Sequence, residues 1–153
     1  MSQGSLNLID SRIAILIRQC HEESYLHLFA IQCALYALEQ SKCRDIYPDI
    51  EEGIKLAVML SQKNNNENGI YIEIIIKKIE KLAASLDEEA FIYHEKCEEN
   101  EKYYEKFFQA RAVMSLLMCL QSNSAKAAAD ACYEAYHATN SYTELLIISE
   151  KYL

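Results

Sequence analysis

Residues 131–140 read ACYEAYHATN, and within them Glu134 and His137 stand three apart. On a helix that spacing puts both side chains on one face. A carboxylate and an imidazole so placed can ligate a metal ion, as in di-iron helical bundles. Such a centre needs two Glu-x-x-His pairs and two further glutamates, all projecting inward. Here the second pair is missing, because Arg18, Ser24 and Phe91 stand three before His21, His27 and His94. His94-x-x-Cys97 is another ligand pair, but a structural zinc takes four ligands. Cys20-His21 completes that set only if the fold brings the helices together. The run from His21 to Tyr25 starts like the zinc motif H-E-x-x-H and fails at Tyr25. Glu134 and His137 are therefore expected to be a helix-edge pair, hydrogen-bonded to each other, with His137 at the negative end of the helix dipole. No metal and no cofactor is expected.

Thiol chemistry is the next candidate. Cysteines stand at Cys20, Cys33, Cys43, Cys97, Cys119 and Cys132, with no C-x-x-C pair. A chain of 153 residues with its own core needs no disulfide staples. Reduced thiols packed as small hydrophobes are the expectation. A nucleophilic cysteine needs surroundings that lower its pKa. Cys33, Cys119 and Cys132 sit instead on apolar or Ala-rich helix faces. With three glycines in all, the chain has no phosphate-cradling loop and no G-x-S-x-G turn. Catalysis is disfavoured, and a metal- or thiol-dependent helical enzyme is kept as the lesser alternative.

Composition narrows the partners. Fifteen Lys and Arg against 23 Asp and Glu give a net charge of −8. That argues against a nucleic-acid binder, which needs a basic surface to neutralise phosphates, and it disfavours docking to anionic lipid. It suits a basic protein partner, since complementary charge speeds encounter. No basic, apolar leader opens the sequence, and no run of about 18 apolar residues could span a membrane. The expected location is the cytoplasm.

The elements that must position these residues read as helices throughout. One proline and three glycines are too few for sheet turns. The expectation is an all-α fold, one domain over residues 1–153, with six to seven helices. Asp10 caps a first helix to about His21, with Ile13, Leu16, Ile17 and Cys20 as its stripe. A second runs from Glu23 to Ser41 with Leu28, Ile31, Leu35 and Leu38 inward. Pro48 opens a third, with Ile50, Ile54, Ala57, Val58 and Leu60 inward. The polar run 63–69 is a loop. Ile70 to Ile76 is β-branched and fits a strand. Its continuation keeps helical spacing through Ile79, Leu82 and Ala83 to Leu86, which favours helix. Asp87 caps a helix that the pattern allows to run unbroken to Gln121. Ser124 or Asn123 caps an Ala-rich helix to His137, and Asn140-Ser141 breaks again. Ser141 and Glu144 form a capping box for the last helix.

Two surface features stand out. From Asp87 to Glu105 there are eight acids against Lys96 and Lys102, so nineteen residues carry −6 of the total −8. Like charges four apart, such as Glu95 and Glu99, repel along a helix. A solvated face is the ordinary reason for a charge run, yet this one is interleaved with tyrosine, a residue of interfaces. The candidate partner-binding residues are Tyr93, Glu95, Glu98, Glu99, Glu101, Tyr103 and Tyr104.

The order of segments resembles small all-helical immunity proteins of bacterial polymorphic-toxin systems. Three pieces carry the resemblance: FAIQCALYALEQ at 29–40, DIYPDIEEGIKLAVMLSQ at 45–62, and the paired Ala-rich helices FQARAVMSLLMCLQSNSAKAAADACYEAYHAT at 108–139. The resemblance implies a role without chemistry, in which the chain binds and neutralises a cognate toxin. The partner would be a basic toxin domain. A helical adaptor or scaffold that self-associates is the alternative of a different class.

Overall fold

The computed structural model describes residues 4–40, 46–63, 69–95, 101–121 and 124–153. After a short 3-10 turn over Gly4–Asn7 come seven α-helices among the described residues. They are α1 (Ser11–Gln19), α2 (Glu23–Glu39), α3 (Pro48–Lys63), α4 (Gly69–Glu95), α5 (Glu101–Gln121), α6 (Ser124–Thr139) and α7 (Thr143–Tyr152). The described residues hold no strand. Ile70 to Ile76 is helical, and Ile72, Ile75, Ile79, Ala83 and Leu86 are buried along one stripe. The periodicity wins over β-branching because each turn of α4 adds core contact.

Asp10 caps α1 as its position predicts, its carboxylate accepting from the Arg12 backbone N–H at 2.9 Å. The same carboxylate holds the Arg12 guanidinium at 2.8 Å. That side-chain bond to Arg12 holds the Asp10 pKa below its ordinary value. Asn140 closes α6 in the left-handed region, φ 60, with its N–H bonded back to Tyr136. Asparagine tolerates that conformation better than most residues.

α5 lies at the centre, packed against α2, α3, α4 and α6, and α2 reaches α3, α5, α6 and α7. Of the expected stripe of α2, Ile31 and Leu38 are buried and Leu35 packs against the core, while the most deeply buried positions are Phe29, Ala30, Cys33, Ala34 and Ala37. Leu28 points out and is 40% exposed. Small buried residues line both α2 and α6, the latter with Ala128, Ala131, Cys132 and Ala135, and the two helices pack on each other. At Gly53 of α3 an added Cβ would lie 2.7 Å from Ile79 and 2.8 Å from Val113. Glycine there lets α3 sink between α4 and α5.

Three boundaries differ from expectation. Asp87 caps nothing, because α4 runs through it to Glu95. A single helix from Asp87 to Gln121 is also excluded. Gln121, at the end of α5, donates to Glu73 near the start of α4 at 2.8 Å, so the two helices form an antiparallel hairpin. The capping box at Ser141 does not form, and α7 begins one residue later with Tyr142 at its cap and no side-chain cap bond. The Tyr142 ring is stacked flat on Tyr136 at 3.9 Å, and its hydroxyl donates to the Leu8 carbonyl at 3.4 Å. Burial pushes its pKa up to about 12. Asn123 and the Asn-rich stretch 64–68 lie outside the described residues. Among the described residues no helix is long and apolar enough to cross a membrane.

Candidate functional site

α6 turns its alanines toward α2 and α5, which leaves Glu134 at the seam facing α5. Arg111 of α5 reaches across, and its Nε donates to Glu134 Oε1 at 2.8 Å. The Glu134 side chain is 6% exposed and that of Arg111 43%. The Arg111 guanidinium also lies 5.6 Å from the Phe107 ring centre. The expected bond from Glu134 to His137 is thus replaced by one to Arg111. His137 is held by rings instead, stacked on Phe108 at 5.0 Å and edge-on to Tyr133 at 4.4 Å. The planar guanidinium suits a carboxylate better than a ring already flanked by aromatics does.

Burial pushes the Glu134 carboxyl above the ordinary range, against the opposing pull of Arg111 and His137. Its Oε2 has no hydrogen-bond partner among the described residues. The pair ties α5 to α6 across their seam. Among the described residues no three His, Cys, Asp or Glu side chains converge to hold a metal ion.

Cys33 of α2 and Cys132 of α6 are fully buried, with Cys119 of α5 in the same core. Burial, then the hydrogen-bonded Cys132 thiol, pushes the Cys33 thiol well above its ordinary value. This suppresses the nucleophilic thiolate. All three are free thiols, as is Cys20. Cys43 and Cys97 lie outside the described residues. His27 of α2 bonds the Cys119 backbone, and burial draws its pKa down.

The described part of the acidic stretch lies on the last turns of α4, to Glu95, and the first turns of α5, from Glu101. Tyr93 is the third-last residue of α4, and Glu95, its last, is exposed. Glu101 opens α5. Tyr103 is half-buried with the Lys102 ammonium 5.9 Å from its ring centre, and Tyr104 is 37% exposed. Glu98 and Glu99 lie outside the described residues. Antiparallel packing therefore brings Glu95 and Tyr104 to the same end of the bundle, and Tyr104 is the better-placed anchor of the two described tyrosines on α5.

Sequence reasoning missed Arg111, Gly53 and two buried polar side chains of α5, Lys106 and Gln109. Gln109 Nε2 donates to the Ala37 carbonyl of α2 at 3.1 Å. A signal for both existed, because stepping back from Leu117 and Val113 by helical spacing reaches Gln109 and Lys106. No protein-family model, curated protein or solved structure matches the chain.

Proposed function

We propose that this chain is a cytoplasmic binding protein without catalytic chemistry that docks and neutralises a basic toxin domain. The docking surface is the acidic, tyrosine-bearing end of the α4–α5 hairpin. One observation carries the reading. Exposed Glu95 and Tyr104 share that end of the bundle, within the nineteen residues that hold −6 of the −8 charge. Acids steer a basic partner into encounter, and a partly exposed tyrosine gives it an apolar body with a polar tip to close on. The toxin as partner comes from the resemblance of the helix order to immunity proteins.

The test is co-expression in bacteria with the basic domain encoded beside this chain. The expected result is growth restored by the chain and a one-to-one complex on gel filtration. A toxic neighbour that the chain neither binds nor silences, or a neighbouring gene with no toxin domain, would overturn the reading.

A further inference from the structure

The outward side of α5 is a narrow strip. Tyr104, Phe107, Arg111, Met114 and Met118 follow one another at spacings of three, four, three and four, the period of a helix face that packs on another helix. Tyr104 and Met118 are exposed, Phe107 and Met114 are partly buried, and the Arg111 side chain is half-exposed. α6 bounds the strip on one side, with His137 stacked on Phe108 and Glu134 bonded to Arg111. α4 bounds it on the other, where Glu73 accepts from Gln121. Positions 80, 84, 87 and 91 lie within about 40° of Glu73 around the α4 axis. Glu80, Ala84, Asp87 and Phe91 therefore continue that edge, and all four are exposed. Glu80 and Asp87 have no ion-pair partner among the described residues. The nearest lysine, Lys77, lies about 40° further round from Glu73, away from α5, and Lys78 is turned to Glu52 of α3.

We propose that this strip receives a basic amphipathic helix of a protein partner, laid along α5 with its cationic flank toward α4. Tyr104 to Met118 spans about 21 Å, four turns of a partner helix. Anchors three and four residues apart are how an amphipathic helix is held on an apolar surface, and methionine adapts to the side chains it meets. Charge selects the partner. The α4 edge carries Glu73, Glu80 and Asp87 with no lysine among them. The α6 edge is balanced, because Glu134 answers Arg111 and Asp130 answers Lys126. Lysine or arginine on one flank of the incoming helix is therefore favoured, and acid there is not. A second copy of α5 fits badly. Arg111 stands midway between Tyr104 and Met118, so antiparallel self-pairing sets guanidinium against guanidinium and the acidic edge against itself. The inference rests on the reading of this chain as a binder of a basic partner. It extends the surface from the hairpin end, where Phe91 and Tyr104 lie, along α5 to Met118.

NMR of methyl-labelled methionine tests the strip without any toxin. The probe is a synthetic helical peptide of about three heptads, with leucine at a and d and lysine along one flank. A second peptide carries glutamate in place of the lysines. The lysine peptide should move the methyl signals of Met114 and Met118 and leave that of Met59, exposed on α3, in place. The glutamate peptide should move none of them. Glu80→Lys/Asp87→Lys should weaken binding of the lysine peptide at least about tenfold and take up the glutamate peptide instead. That exchange excludes misfolding as the reason for the loss. Met114 and Met118 signals that stay in place at about millimolar peptide, a Met59 signal that moves as far as theirs, wild type that binds both peptides alike, or a double variant that binds like wild type overturns the proposal. None of these positions is among Glu98, Glu99 and Glu101. A strip that fails this test therefore leaves docking at the hairpin end to be decided by the association rate of those variants.

Discussion

Arg111 of α5 and Glu134 of α6 meet with 2.8 Å between Nε and Oε1, the carboxylate almost out of reach of water and the guanidinium still partly in it. The pair locks the closest-packed helices of the bundle in register. It also sets a charge where burial disfavours one. That tension makes the latch sensitive to pH.

The folded-state pKa of Glu134 is raised above its ordinary 4.5, so the folded protein holds this proton more readily than the unfolded chain does. Its contribution to stability is fully present below 4.5 and is lost as pH rises through the raised folded value. Glu134→Gln is permanently neutral and lacks this dependence. The unfolding free energy of wild type minus that of Glu134→Gln should therefore grow in favour of wild type as pH falls from 7 toward 4.5. Urea titrations of both proteins across that range measure it, and a flat or opposite trend contradicts it.

Gly53→Ala should destabilise the protein. The new methyl meets Ile79 at 2.7 Å and Val113 at 2.8 Å. Overpacking of that kind costs about 1 to 3 kcal/mol, and better helix propensity returns about 1 kcal/mol. A net loss of about 1 kcal/mol is expected from chemical denaturation. A variant as stable as wild type would mean that α3 shifts freely against α4 and α5.

The core thiols should be silent. Cys33, Cys119 and Cys132 are at most 1% exposed, and alkylation needs an accessible thiolate. Iodoacetamide labelling of the native protein, mapped by mass spectrometry, should modify Cys20 and leave those three untouched until denaturant is added. Modification of any of the three at the rate of Cys20 would show that the α2–α5–α6 core opens far more often than its packing implies.

Much of this architecture was legible because helices with one inward face write that face into the sequence. Ile72 to Leu86 of α4 and Ile50 to Leu60 of α3 did so, and Asp10 announced the start of α1. The central helices were harder. α2 is covered on several sides, so Phe29, Ala30, Cys33, Ala34 and Ala37 are buried beside the expected Ile31 and Leu38, and spacing alone did not show that Leu28 points out. The hairpin between α4 and α5 left no mark, since neither proline nor glycine stands between Asp87 and Gln121. The Tyr142 stack displaced a capping box that was locally sound. Arg111 and Glu134 are 23 residues apart on different helices, and only the packing of α5 on α6 introduces them. The acidic stretch was legible as charge, but which tyrosine faces outward needed the fold, and it selects Tyr104.

The most direct test of the hairpin end as a docking surface is the association rate of the proposed basic partner with Glu98→Lys/Glu99→Lys/Glu101→Lys, measured by stopped flow at low salt. The rate should fall at least about tenfold, with dissociation and the far-UV spectrum unchanged, and the difference should shrink as salt screens the charge. Tyr104→Ala should act on the other step, raising the off-rate about thirtyfold for a loss of about 2 kcal/mol. If the triple variant associates at the wild-type rate at low salt, the acidic end is a solvated surface and the partner docks elsewhere.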